Sequence, residues 1–287
     1  MPELPEVETV RRSLLPVVCG RIISLAEILT PGVLLGGRTP LTGWRIEQIS
    51  RRGKYLVFDL TAGQKTARLI VHLRMTGRLL LQTTDQLPVK HTHIRLRLDP
   101  ESGQPGDPIW LIYNDPRRFG RLWLLADEAA APPAGFLKLG PEPLDPGFNA
   151  SSLAEQFLRR RSSLKAVLLD QTVIAGLGNI YADEVLFASG LHPARSASSL
   201  KAIEIERLSE AIVQVLTHAI DCQGTTLRDY VDGWNRKGTF QDCLMVYGRA
   251  GQPCRQCGTI ISQTRLAGRS TCWCPVCQQK GAADETP

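Results

Sequence analysis

No run of apolar residues in this chain approaches the roughly 18 that a membrane helix needs. Its N-terminus, MPELPEVETVRR, carries acids and prolines where an export signal would have basic residues and then a long apolar stretch. That pattern predicts a protein that is not exported. Two phosphate-cradling signatures are also missing: there is no GxxxxGK[ST] loop and no GxGxxG after a strand-like run. Internal repeats are missing as well. One absence is local. Between Met245 and Gly281 there is no Asp or Glu, while Arg249, Arg255, Arg265, Arg269 and Lys280 give that stretch five basic residues. An unbalanced charge on a short segment suits a phosphate backbone and equally a solvated basic face.

The 287 residues are 43% apolar and 22% charged, enough for an ordinary core. At roughly 150 residues per domain the length suggests about two domains with a small appendage. Lys and Arg number 34 against 28 acids, giving +6 and a pI near 9.0, a mild lean toward a polyanionic partner.

Residues 3 to 15 read as a helix, with Val7, Val10 and Leu14 at spacings of three and four and Pro16 stopping the pattern. Short β-like runs follow at 22–26, 44–50, 55–60, 68–73, 78–81, 94–98, 109–113 and 121–125. Gly, Pro, Asp or Thr separates them, which predicts a sandwich or barrel. The connection from Leu98 to Trp110 is long and reads as a flexible surface insert. Ala129 to Pro146 reads as a linker. Helical periodicity then takes over, at 151–159 with Ser151-Ser152 as the cap, at 163–169, at 180–189 and at 199–221. A glycine-rich turn, Ala175 to Asn179, separates the middle pair. Gly224 to Gly238 reads as a polar loop, and the last few residues as frayed.

Eight cysteines are present. Cys254-x2-Cys257, sixteen intervening residues, and Cys274-x2-Cys277 have the spacing of a four-thiolate zinc site. Four protein ligands leave no position for water, so the zinc is expected to be structural. Cys272 has the wrong spacing for a ligand. With Cys19, Cys222 and Cys243 it reads as a buried small hydrophobe.

Pro2 follows Met1. A small second residue usually permits removal of the initiator methionine, which leaves a secondary α-amine. Such an amine has a pKa of roughly 7.7–8.0, so it is far less protonated at neutral pH than lysine. Attack on a carbonyl-like carbon would give an iminium, an electron sink for elimination. Glu3 and Glu6 stand beside it as proton donors or charge stabilisers. On these residues alone a second reading stands: Pro2 precedes a helix whose positive end favours the glutamates.

Several motifs together resemble the bacterial formamidopyrimidine-DNA glycosylases. They are PELPEVETVRRSL at the start, RRGKYL at 51–56, HLRMTG at 72–77, DPRRFG at 115–120, KAVLLDQTVIAGLGNIYADEVLF at 165–187 and the C-terminal cysteine hairpin. The match runs in order along nearly the whole chain. It implies an α+β protein: an N-terminal helix with a two-sheet β-sandwich (catalytic domain, 2–130), a linker (131–150), a helix–two-turn–helix DNA-binding domain (151–243) and a β-hairpin zinc finger (245–279).

The resemblance also implies an activity: excision of oxidised purines such as 8-oxoguanine and formamidopyrimidines from duplex DNA, then strand cleavage by β,δ-elimination. Pro2 matches the nucleophile that attacks C1′, Glu3 the adjacent acid, Lys54 the lysine of proton transfer, and Arg269 the fingertip arginine linked to δ-elimination. Met75, Arg117 and Phe119 match residues that fill the hole left by an extruded base. Asn179, Lys165, Arg161 and His91 match DNA contacts, with Arg159 and Arg160 adding diffuse charge. Glu6, Tyr181 and the loop from Gly224 to Gly238 match the lesion pocket. The implied partner is damaged double-stranded DNA, met by a monomer with one Zn2+ and no soluble cofactor in the bacterial cytosol.

The chain departs from the pattern at Arg74, where a glycine is common, and at Gly233-Trp234-Asn235. Two rivals remain: the sister endonuclease VIII group, which prefers oxidised pyrimidines and typically begins Pro-Glu-Gly-Pro where this chain has Leu4, and a non-enzymatic zinc-finger DNA-binding protein on the same scaffold.

Overall fold

Leu4, Val7, Val10, Leu14 and Val18 are all buried on one face of helix α1 (Leu4–Val18). The computed structural model describes residues 1–36, 39–101, 105–127, 130–158 and 160–279. Helix α1 continues two residues past the proline expected to stop it. Pro16 lies in the last turn, where few backbone bonds remain to lose, and Val18 beyond it is fully buried. The guanidinium of Arg21 donates to the Val17 carbonyl at 2.8 Å and closes the end.

Nine strands follow: β1 (Ile22–Ile28), β2 (Leu34–Leu35), β3 (Arg45–Arg52), β4 (Tyr55–Ala62), β5 (Lys65–His72), β6 (Arg78–Gln82), β7 (Thr92–Asp99), β8 (Ile109–Asn114) and β9 (Arg121–Leu125). Their pairing order is β2-β9-β5-β4-β3-β1-β7-β8-β6. Among the described residues the register of β1 with β3 is the single pair Ile22 opposite Arg45, and the run bends there into two layers. Phe58, Leu69, Val71 and Leu122 from one layer and Leu79, Ile94, Leu96 and Leu111 from the other line a common apolar void. This is the sandwich expected from the alternating runs. The parallel pair β2–β9 lies outside that expectation, because two residues carry no periodicity.

The chain divides into two compact units. One comprises Met1–Leu137 with Cys222–Gln241, the other Lys138–Asp221 with Asp242–Pro287. Helix α2 (Ala134–Leu137) ends the first stretch of the first unit. Helices α3 (Ala150–Phe157), α4 (Leu164–Leu169), α5 (Asn179–Ala188) and α6 (Ala202–Asp221) belong to the second. The cap of α3 is Asn149, whose side chain accepts from the Ser152 N–H at 3.0 Å, and not the serines themselves. Ser163 caps α4. Strands β10 (Ser262–Leu266) and β11 (Arg269–Trp273) form a hairpin. Residues 102–104 of the long connection, Arg159, and the terminal residues read as frayed lie outside the described residues, as does Lys280.

Candidate active site and nucleic-acid interface

Pro2 is buried immediately before α1. Glu3 is the N-cap, and its backbone N–H donates to Glu6 Oε2 at 2.8 Å while its own side chain accepts from the Glu6 backbone. This capping box fixes both carboxylates at the positive end of the helix. Strand β3 runs antiparallel to α1: Arg11 donates to the Ile49 carbonyl at 3.3 Å, and Glu8 pairs with Arg51 at 3.4 Å. From Glu8 back to Glu3 is about 7.5 Å of helix, while β3 runs on from Arg51 to Arg52, whose partner Tyr55 leaves Gly53 and Lys54 as the hairpin turn. The same direction of travel therefore carries the 53–54 turn to the start of α1. Lys54 is buried, although lysines as a rule keep their ammonium in water.

Tyr55, next in chain, is paired with His72 in the β4–β5 ladder. Burial, with the charges of Arg74 and Lys54, pushes the His72 imidazole down to about 3. It is therefore neutral, and its Nδ1 accepts the Arg74 N–H at 2.9 Å. Arg74 has φ +55°, the left-handed region that favours glycine. The departure at this position costs roughly 1–2 kcal/mol of backbone energy, offset in part by that hydrogen bond.

Beyond this turn Met75 is 43% exposed and Phe119, on the 115–120 loop, 48% exposed. Neither is core. The Arg117 guanidinium lies 4.6 Å from the Phe119 ring centroid and donates to Met75 Sδ at 3.6 Å. Thioether, cation and ring form one projecting group. His91 is exposed, with φ +70°, and its carbonyl accepts the Asp115 N–H at 3.0 Å. His93 is buried between Thr30 Oγ1 and the Asp115 carbonyl, each 2.8 Å away, which makes it structural.

Glu6 is tied to the 224–238 loop, since its Oε1 accepts the Thr225 N–H at 2.8 Å. Farther along, Asp232 accepts from the backbones of Trp234 and Arg236 and from the Arg236 guanidinium. Gly233 donates to Ser13 Oγ at 2.9 Å and accepts from the Leu81 N–H at 2.7 Å. A Cβ there would sit 2.7 Å from Ser13 Oγ and 2.9 Å from Leu14, so any larger residue would have to displace those two side chains. The divergent Gly233-Trp234-Asn235 segment is thus anchored to α1 and β6.

In the other unit the ammonium of Lys165 donates to Asp183 Oδ1 at 2.6 Å and to the Asn179 carbonyl at 3.0 Å. Lys165 and Asp183 side chains are both fully buried. Lys165 therefore departs from the expectation of a direct phosphate contact: it holds the residue that opens α5. Burial drives the Asp183 carboxyl up to about 6, against the pull of Lys165 and of the Cys272 N–H. The Asn179 side chain donates to the Ser270 carbonyl at 3.1 Å. Arg161 is exposed. Arg160, expected to add diffuse charge, pairs with Asp170 at 3.0 Å. Tyr181 is fully buried on α5 and presents no ring to solvent.

Glu184 fastens the hairpin segment to α5. Its carboxylate accepts the N–H groups of Met245, Val246 and Tyr247 at 2.8–3.0 Å. The sulfurs of Cys254, Cys257, Cys274 and Cys277 gather within 4.8 Å. Two of their separations are 3.9 Å (Cys254–Cys277) and 3.4 Å (Cys257–Cys274). A tetrahedron with Zn–S bonds of about 2.3 Å has edges of about 3.8 Å, so the cluster fits one zinc ion. The Gln256 and Cys277 N–H groups point at the sulfurs of Cys254 and Cys274 and stabilise thiolate charge. Cys272 instead packs with Phe187, Val246 and Ile261, as expected of a buried bystander, whereas Cys19, Cys222 and Cys243 are only half-buried. At the hairpin tip Ala267 and Gly268 both take left-handed conformations, as a two-residue type I′ turn requires, and present Arg269 to solvent.

Three family models match the chain. The formamidopyrimidine-DNA glycosylase N-terminal domain covers residues 1–122, the H2TH domain of the same enzymes 139–231, and the zinc finger found in FPG and IleRS 251–280. The formamidopyrimidine-DNA glycosylase of Desulfitobacterium hafniense is 46% identical over 283 residues, covering 97% of this chain and 100% of the relative. That of Heliobacterium modesticaldum is 47% identical over 287 residues, with the same coverage. The chain belongs to the formamidopyrimidine-DNA glycosylase family. Among solved structures, a mutant Fpg of Lactococcus lactis in complex with a Fapy-dG containing DNA superposes with TM-score 0.85 at 40% identity, covering 97% of this chain and 100% of that one. The Fpg protein from Thermus thermophilus gives 0.83 at 40% identity, covering 98% and 100%.

Set on the glycosylase scaffold, several residues that motif reading passes over carry the geometry. Asp115 accepts from Thr76 Oγ1, Tyr113, Gly120 and Arg117. Burial raises its carboxyl, but these four donors outweigh that and hold it below the ordinary range. Asp183 and Glu184 serve the zinc hairpin, and Asp232 the loop. Their signal is an acid inside an otherwise apolar or basic motif (NDPRRFG, YADEVLF), which a buried partner explains better than solvent does.

Proposed function

We propose that Pro2, once Met1 is removed, is the nucleophile with which this chain excises oxidised purines from duplex DNA and then cleaves the strand. The chain is a formamidopyrimidine-DNA glycosylase and AP lyase of that family. Met1 is half-exposed while Pro2, Glu3 and Lys54 are buried at one end of α1, and this grouping carries the assignment. The Pro2 nitrogen attacks C1′, the bond from C1′ to the base breaks, and the base leaves with a proton. The Pro2 nitrogen gives up its proton, the C1′–O4′ bond opens with O4′ taking a proton, and the iminium so formed makes the C2′ proton acidic. Its loss expels the 3′ phosphate by β-elimination, and a second elimination expels the 5′ phosphate. Glu3 and Lys54 are the proton-transfer groups, and Arg269 steadies the phosphate released last.

Met75, Arg117 and Phe119 fill the space of the extruded nucleotide. Their mutual contact on exposed loops, where apolar side chains gain nothing by remaining in water, supports this reading. His91, Arg161 and Asn179 contact the DNA backbone, with Lys165 acting through Asn179. Glu6 orders the lesion loop through Thr225, and Tyr181 supports the pocket from within α5. The sandwich (2–130) supplies the chemistry, residues 131–150 link it onward, and the helical segment (151–243) and zinc hairpin (245–279) hold the duplex. The chain acts as a monomer in the bacterial cytosol. Among the described residues no helix is long and apolar enough to cross a membrane.

Excision is tested on duplexes with 8-oxoguanine opposite cytosine and with thymine glycol. Faster excision of 8-oxoguanine is expected. Preference for thymine glycol would move the chain to the endonuclease VIII activity, and absence of excision from either would favour the non-enzymatic binder.

A further inference from the structure

Three loops of the β-rich unit carry the side chains assigned to the DNA: residues 73–77 with Met75, 89–92 with His91, and 115–120 with Arg117 and Phe119. All three converge on Asp115, which is completely buried. Its Oδ1 accepts from Thr76 Oγ1 at 2.5 Å and from the Arg117 N–H at 3.2 Å. Its Oδ2 accepts from the Gly120 N–H at 2.9 Å and from the Tyr113 hydroxyl at 3.0 Å. Its own N–H donates to the His91 carbonyl at 3.0 Å, and its carbonyl meets His93 Nε2 at 2.8 Å. Each carboxylate oxygen has two donors, which is what an ion in a core needs to be tolerated.

We infer that Asp115 is a positioning residue that locks these loops together, so that Met75, Arg117 and Phe119 enter the duplex as one rigid wedge. The inference rests on the reading of those three side chains as void fillers. Packing supports a lock. A Cβ on Gly120 would lie 2.1 Å from the Tyr113 hydroxyl and 2.9 Å from the His72 carbonyl, so the 115–120 loop is seated directly on the strand end that leads to Met75. The only side-chain hydrogen bond from the Met75 loop to Asp115 among the described residues is that of Thr76, itself buried and facing away from solvent. Rigidity matters because unstacking a base costs a few kcal/mol at the moment of extrusion. Side chains already held together lose less freedom on entering the gap.

Thr76→Val keeps the shape of the side chain and removes the donor; Thr76→Ser keeps the donor. Each variant is given two duplexes: one with 8-oxoguanine opposite cytosine and a neighbouring 2-aminopurine that reports extrusion, and one with a preformed abasic site, which has no base to extrude. Thr76→Val is expected to slow extrusion and single-turnover excision by about tenfold to a hundredfold, the worth of a hydrogen bond to a charged acceptor. Cleavage at the abasic site should stay within about threefold, and Thr76→Ser should restore extrusion. Equal loss on both duplexes, or extrusion unchanged in Thr76→Val, would overturn the lock. Met75→Ala and Phe119→Ala run alongside. If they slow extrusion and Thr76→Val does not, the lock fails alone; if they too leave extrusion unchanged, the void-filling reading fails and the lock with it.

Discussion

Lys165→Met replaces a buried cation with an apolar side chain of similar length. The change removes bonds of 2.6 Å to Asp183 and 3.0 Å to the Asn179 carbonyl, and leaves the Asp183 carboxylate buried with the Cys272 N–H at 3.1 Å on its other oxygen. Removing one partner of a buried pair costs about 3–5 kcal/mol, a large part of the 5–15 kcal/mol that typically separates folded from unfolded chains. The loss is expected to depend on pH. Native Asp183 keeps its proton up to about 6, against 3.8 when unfolded, so the native state binds more protons between those values and stability falls as pH rises through them. Without Lys165 the native carboxyl holds its proton to higher pH still, and that window extends upward. Urea denaturation of Lys165→Met should therefore show a larger deficit at pH 8 than at pH 5. The double variant Lys165→Met, Asp183→Asn should recover at least about half of it, because no buried charge is orphaned. A deficit below about 1 kcal/mol at pH 8, one independent of pH, or a double variant as unstable as the summed singles, would refute the reasoning.

Zinc content should be near one ion per chain. Cys257→Ser or chelation should lose the metal and lower DNA affinity more than tenfold while far-ultraviolet circular dichroism keeps the sandwich signal, since the hairpin has few apolar residues to hold it without metal. Full affinity in metal-free protein would contradict a structural role. Arg74→Val should cost more than about 1 kcal/mol, because a β-branched residue at φ +55° is strained, whereas Arg74→Gly should cost nothing in thermal or urea denaturation. His72, held near 3 in the native state against 6.5, binds a proton more readily when unfolded. Its contribution is present in full above pH 6.5 and is lost as pH falls toward 3, at about 1.4 kcal/mol per pH unit. His72→Gln should flatten that part of the stability profile; an unchanged acid slope would place the sensitivity elsewhere.

Most of the strands, four helices and the zinc ligands are legible in the chain because periodicity and spacing are local signals. The end of α1 is not, because Val18 packing outweighs the rule that proline ends a helix. Strand β2 is not, because it exists only through its partner β9. For the site, motifs single out Met75, Arg117 and Phe119, whose side chains touch one another on exposed loops. The same motifs misplace Lys165 as a surface contact. A lysine beside other basic residues looks solvated in a linear chain, and nothing local announces that Asp183, one helix away, has drawn it inside. Asp115 and Asp232 escape a linear reading for another reason: their backbone donors lie within five residues, as they would for any solvated turn acid, and the Thr76 hydroxyl reaches Asp115 only after folding.

The central claim is that the Pro2 nitrogen forms the covalent intermediate. Borohydride reduction of the reaction with an 8-oxoguanine duplex, followed by mass spectrometry of the digested adduct, tests it directly. The DNA remnant should sit on an N-terminal peptide that begins at Pro2 and lacks Met1. A remnant on Lys54 or another lysine, or trapping by chain that retains Met1, would contradict the account.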